Sequence, residues 1–160
     1  MSVVAVIGVG NPFRRDDGVG LEVVRRAAEG LPDGVPVVEV DGEPARLLDA
    51  WTGADAAVVV DAVRSDASAG TVHRFEIRPG SEAFPPWRPG TSSHGAGLAA
   101  AVGLGRALDR VPPHLVVLGV EGQTFSPGPG LTQAVAAVID DVAQRVLTEV
   151  RAMRDADVPQ

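Results

Sequence analysis

The chain alternates short, unbroken apolar runs with segments whose apolar residues recur every three or four positions. Val3 to Gly8 is a continuous run, the pattern of a strand buried on both faces. From Asp17 to Glu29 the spacing of Leu21, Val24 and Ala28 predicts a helix, closed by Pro32 and Gly34. Val35 to Val40 reads as a second strand, and Pro44 to Trp51 as a short helix with Leu47, Leu48 and Trp51 on one side. Asp55 to Ala62 holds the densest β-branched run, Val58-Val59-Val60, and is expected at the centre of the sheet. Gly70 to Ile77 mixes apolar and polar positions as a half-exposed edge strand does. Pro79 to Ser93 is a long loop rich in Pro and Gly, of a length usually found where loops are functional or mobile. Gly95 to Leu108 predicts a helix whose small residues allow close packing. Leu115 to Val120 reads as the last buried strand. Leu131 to Met153 reads as one long amphipathic helix, with Leu131, Val135, Val138, Val142, Val146 and Val150 as its stripe.

Strands separated by helices imply parallel pairing and a three-layer α/β/α sandwich. With 160 residues the chain fits one domain, expected over 1–154, with a polar tail at 155–160 that frays. Apolar residues make up 45% of the chain but aromatics only 4%, so Val, Leu and Ala must fill the core.

Charge and cysteine content narrow the function classes. The formal net charge of −7 argues against a nucleic-acid partner, which needs a basic footprint. The absence of cysteine removes disulfides, thiolate metal sites, iron–sulfur clusters and cysteine nucleophiles, and suits the cytoplasm. No apolar run approaches the roughly 20 residues that span a bilayer, and no basic stretch precedes the first strand, so neither membrane nor export is expected.

Candidate chemistry gathers where predicted strands end and helices begin. Gly8-Val9-Gly10-Asn11 follows the first strand, but the dinucleotide fingerprint is incomplete because Phe13 stands where its third glycine belongs. Asp16 and Asp17 lie at the predicted helix start, where an acid alone reads as an N-cap or as a favourable partner of the helix dipole. Asp61 ends the Val58-Val59-Val60 run, where an open α/β sheet binds ligands and where an unpaired carboxylate is poorly solvated. The plain alternative is a cap for the following turn. His94 closes the long loop at a helix start; the positive end of the dipole favours its neutral, metal-binding ring, and the plain alternative is an exposed first-turn residue. His73 and His114 read as structural or surface residues. In a parallel sheet Asp17, Asp61 and His94 open on one edge, and two carboxylates with one imidazole form a mixed oxygen and nitrogen donor set. There is no Gly-x-Ser-x-Gly elbow and no lysine for a Schiff base. A conventional zinc-dependent hydrolase of small substrates could use the same three ligands, and a non-catalytic nucleotide-binding module could use the Gly-rich turn.

The opening Val6-Ile7-Gly8-Val9-Gly10-Asn11 through Asp16-Asp17-Gly18-Val19-Gly20 resembles the N-terminal signature of the hydrogenase maturation proteases. Val60-Asp61-Ala62-Val63, Gly70-Thr71-Val72, Ser93-His94, Leu118-Gly119-Val120-Glu121 and Leu131-Thr132 match later blocks in the same order, from about Val3 to Val150. The resemblance implies a phosphorylase/hydrolase-like sandwich around a mostly parallel five-stranded sheet with one antiparallel strand, which suits Gly70 to Ile77. It implies an endopeptidase that removes the C-terminal extension of a nickel–iron hydrogenase large-subunit precursor after nickel insertion. Carried over by position, Asp17, Asp61 and His94 are the catalytic and metal-contacting residues. The nickel is then supplied by the substrate, with no nucleotide cofactor, and the enzyme is expected to be a cytoplasmic monomer. The metal either polarises the carbonyl or activates water, or else serves recognition while Asp17 or Asp61 acts as base. The chain departs from the pattern at Asp41-Gly42-Glu43-Pro44, where relatives often carry Gly-Gly-Thr, and at Gly122, where proline is usual.

Overall fold

A computed structural model describes residues 2–80 and 93–156, with the side chains of the second stretch described from residue 97. The strands are β1 (Val4–Val9), β2 (Val37–Val40), β3 (Ala56–Val63), β4 (Val72–Ile77) and β5 (His114–Glu121). The helices are α1 (Val19–Ala28), α2 (Pro44–Trp51), α3 (Ser93–Leu108), α4 (Gln133–Ala136) and α5 (Ile139–Asp155), with a 3-10 turn at Arg15–Gly18. The sheet runs β2-β1-β3-β5-β4. Its pairs are parallel except β4 with β5, which is antiparallel. The sandwich, the central place of β3 and the odd edge strand all match the expectation.

Alternation along the strands divides the core into two layers. Val4, Val6, Val58, Val60, Val116 and Leu118 pack against α1 and α5. Ala5, Ile7, Ala57, Val59, Leu115 and Val117 pack against α2 and α3, with Trp51 fully buried among them. β-Branched residues suit the parallel centre, and their small volume lets the helices sit close.

Two expected helices differ in detail. The segment from Asp17 enters through the 3-10 turn, and α1 begins only at Val19, with Gly18 at the cap position and no side-chain cap. Neither Asp16 nor Asp17 is an N-cap, because both carboxylates are committed elsewhere. The predicted helix from Leu131 to Met153 is broken at Ala137 and Val138. There the Val138 N–H reaches back three residues to the Val135 carbonyl, and regular bonding resumes with Val142 donating to Val138. The apolar stripe stays continuous across the break, so periodicity alone cannot reveal it.

The approach of α1 to the sheet positions everything that follows. A Cβ at Gly20 would lie 2.4 Å from the Val60 carbonyl oxygen and 2.5 Å from that of Val9, so α1 rides directly on the ends of β1 and β3. Backbone atoms cannot step aside as side chains do. Gly20→Ala is therefore expected to lower stability by about 3 kcal/mol, the upper part of the overpacking range, as read by urea denaturation.

Candidate active site

β1 sends the chain through α1 to β2 on one side, whereas β3 leads to β4 and β5 on the other. The strand order thus reverses between β1 and β3, and the crevice at their carboxyl ends is where open α/β sheets bind ligands. Asp17 follows β1 and Asp61 lies near the end of β3; both are buried. Asp61 pairs in register with Gly119 and shares the face of Ala57 and Val59, the side covered by α2 and α3. The Asn11 N–H donates to Asp17 Oδ2 at 3.1 Å, which fixes that carboxylate against the β1 loop.

His94 falls in the first turn of α3, and its side chain lies outside the described residues. The helix that carries it is seated tightly. A Cβ at Gly97 would stand 2.0 Å from the Gly42 carbonyl oxygen, so the start of α3 rests on the loop after β2. That loop is the Asp41-Gly42-Glu43-Pro44 departure. Gly42 has φ +96, a left-handed backbone that favours glycine. Glu43 caps α2, its carboxylate accepting from Ala45 N–H and Arg46 N–H at 3.2 Å each. Among the described residues, which do not include the His94 side chain, no group of three His, Cys, Asp or Glu side chains is placed to hold a metal ion.

The glycines of the first turn serve close packing. A Cβ at Gly10 would meet the Asp17 carbonyl oxygen at 2.1 Å, so the 3-10 turn fills the space over the loop where a pyrophosphate would lie in a dinucleotide fold.

Asp16, expected only as a cap, is a fully buried hub. Its Oδ2 accepts from the Gln123 N–H at 2.8 Å and the Thr124 N–H at 3.1 Å. Its Oδ1 accepts from the Thr132 N–H at 2.7 Å, and the Thr132 hydroxyl donates to the same carboxylate at 2.8 Å. Burial pushes the Asp16 carboxyl up, but the backbone donors of Thr132, Gln123 and Thr124 and the Thr132 hydroxyl outweigh it and hold the pKa below the ordinary value. One carboxylate thus ties the β1 loop to the segment after β5. No local signal marks it, since its partners lie more than a hundred residues away in sequence. The departure at Gly122 has a cause here too: a Cβ there would meet the Phe125 ring at 2.5 Å.

Glu121, also buried, was not anticipated as more than part of a matching block. Its carboxylate accepts from Ser65 N–H at 2.7 Å and the Ser65 hydroxyl at 2.6 Å, and lies 3.1 Å from His73 Nε2. Its backbone N–H donates to Thr71 and its carbonyl accepts from Gly70, each at 2.8 Å. It therefore fastens the β3–β4 loop. The serine hydroxyl donates to the carboxylate at 2.6 Å and makes only a long 3.4 Å contact with His73 Nε2, so its proton is directed to the acid and the trio reads as a tie. His114 bonds Glu76 at 2.6 Å, in keeping with its structural reading.

The likeness to known proteins is consistent along the whole fold. A family model described as hydrogenase maturation protease matches residues 22–149. The hydrogenase 2 maturation protease of Escherichia coli is 28% identical over 151 residues, covering 92% of this chain and 90% of that protein. The solved structure of the hydrogenase maturating endopeptidase HybD from E. coli superposes with a TM-score of 0.77 at 26% identity, covering 94% of this chain and 93% of that one. The NiFe hydrogenase maturation protease HybD from Thermococcus kodakarensis gives 0.73 at 27% identity, over 89% and 95% of the two chains. The switch-point crevice with its buried acids, the edge-strand topology and these likenesses agree: the chain belongs to the hydrogenase maturation protease family and is a peptidase of that kind.

Proposed function

We propose that this endopeptidase removes the C-terminal extension of a nickel–iron hydrogenase large-subunit precursor once nickel has been inserted, with Asp17, Asp61 and His94 contacting the metal of the loaded substrate. The observation that carries the reading is the pair of buried acids, Asp17 and Asp61, at the carboxyl ends of adjacent strands where the chain order reverses. Two carboxylates and an imidazole suit a divalent first-row metal. The nickel belongs to the substrate, so its arrival is the signal. A loaded precursor gains ligand bonds that an empty one lacks, and cleavage follows that difference in affinity. The Asn11 N–H holds Asp17 in place, and β3 holds Asp61 through its ladder to β5. An ionised carboxylate in this crevice is also placed to take a proton from an attacking water.

The test is processing of nickel-loaded and nickel-free precursor by the purified protein, followed by mass spectrometry. The loaded form is expected to be trimmed and the empty form to remain intact. His94→Ala and Asp17→Asn are expected to leave both intact. Trimming of the empty precursor, or tight stoichiometric zinc or nickel in the purified protein, would replace this reading with that of a conventional metallohydrolase.

A further inference from the structure

The rim of the crevice carries a feature that neither the fold nor the candidate acids require. Phe13 is 71% exposed, the most exposed of the large apolar side chains among the described residues. It is held rather than loose. Its N–H donates to Asn11 Oδ1 at 2.9 Å, and its carbonyl accepts from the Gly128 N–H at 2.7 Å. Arg14 and Arg15 follow directly. Arg14 donates through Nε to the Phe125 carbonyl at 3.1 Å, while Arg15 N–H donates to the Gly128 carbonyl at 3.0 Å. Across the same loop, the Arg64 guanidinium sits 5.7 Å from the centre of the Phe125 ring.

Arg25, Arg26, Arg46, Arg74, Arg78 and Arg110 each form an ion pair with a carboxylate. Arg14 and Arg15 are adjacent in the chain and lack an ion pair among the described residues, as Arg145, Arg151 and Arg154 on α5 also do. The acids next to them in sequence, Asp16 and Asp17, are buried and occupied by backbone donors. In a chain of net charge −7, adjacent arginines without an acid, beside an exposed aromatic ring, make a local cationic and apolar patch. It lies one turn from the candidate site, since the Asp17 N–H donates to the Arg14 carbonyl at 3.1 Å.

We infer that Phe13, Arg14 and Arg15 form a docking surface for an extended acidic peptide segment of the protein substrate, with Phe13 receiving an apolar side chain and the guanidinium groups receiving carboxylates. The inference rests on the proposed endopeptidase function and names what that site selects beyond the metal. Planar guanidinium groups suit carboxylates in bidentate pairs, and an exposed ring offers contact area at small entropic cost. Docking at the rim presents the chain to the crevice without taking part in bond cleavage.

The experiment pairs cleavage kinetics with direct binding. Arg14→Glu is expected to raise KM for the loaded precursor about tenfold at low salt while kcat stays near wild type, and the gap is expected to narrow as salt screens the charges. Phe13→Ser is expected to raise KM without salt dependence. A fluorescent synthetic peptide of alternating Asp and Leu is expected to bind the wild-type protein more tightly than Arg14→Glu in anisotropy titrations. Unchanged KM in both variants, a fall in kcat alone, or equal peptide binding overturns the docking surface. Failure of the wild-type protein to cleave any loaded precursor would instead strike the function, and the peptide titration would still decide the patch.

Discussion

Asp61→Asn is expected to lower cleavage of the loaded precursor by about a thousandfold, equivalent to about 4 kcal/mol of lost transition-state stabilisation. The amide keeps the volume of the carboxylate and loses its charge. A neutral oxygen is a much weaker ligand for a divalent metal and a poor acceptor for a proton from water. The fold should not follow the activity down. Asp61 keeps its place in β3 through the backbone register with Gly119, which the substitution leaves alone. A buried carboxylate also carries a desolvation penalty that an amide does not, so thermal stability is expected to equal or exceed wild type. Gel analysis of the precursor beside a melting curve separates the two effects. Wild-type cleavage by this variant would remove Asp61 from the site.

Asp16→Ala is expected to do the reverse, with a loss of stability of about 4 kcal/mol, because it strands several part-buried donors at once. Gln123, Thr124 and Thr132 would each keep a backbone N–H pointing at a vacated carboxylate. A loss of this size takes a large share of the roughly 5–15 kcal/mol that holds a domain together. The pH dependence follows from the same bonds. The folded carboxyl has a pKa below its unfolded value, so the unfolded chain binds the proton more readily. The contribution of Asp16 is therefore complete above about pH 4, near the unfolded value, and is lost as pH falls through the lowered folded value. Denaturation midpoints measured from pH 7 downward should fall steeply in the wild-type protein below that point. Asp16→Asn should start lower and lose part of that slope. An unchanged slope in Asp16→Asn would show that other acids carry the acid sensitivity.

These two acids illustrate different degrees of legibility. The place of Asp61 near the end of β3 could be read from sequence because it ends a β-branched run, and in a parallel sheet the end of a strand is also an edge of the crevice. Asp17 was legible by the same logic, one loop after β1. Asp16 carries the same local signature as Asp17, which in sequence is that of a cap. Its actual role depends on Gln123, Thr124 and Thr132, which the fold brings to it from beyond the last strand. The two departures from the family pattern behaved similarly. Gly42 and Gly122 look like irregularities in sequence, yet Gly42 holds a left-handed φ of +96 while its carbonyl lies where a Cβ on Gly97 of α3 would fall, and a Cβ at Gly122 would collide with the Phe125 ring.

By itself the sequence determined the alternation of strands and helices, the α/β/α layering, the edge character of Val72–Ile77 and the strand-end positions of Asp17 and Asp61. All of these follow from local periodicity, because burial on one or both faces writes itself into neighbouring residues. The tertiary structure alone decided the break at Ala137 and Val138, the 3-10 entry before α1, the service of Asp16 and Glu121 as ties, and the exposure of Phe13 beside two arginines that lack acids. Each of these rests on contacts between residues far apart in the chain. Such contacts leave no period in the sequence, because only the closing of the loops brings donor and acceptor within reach.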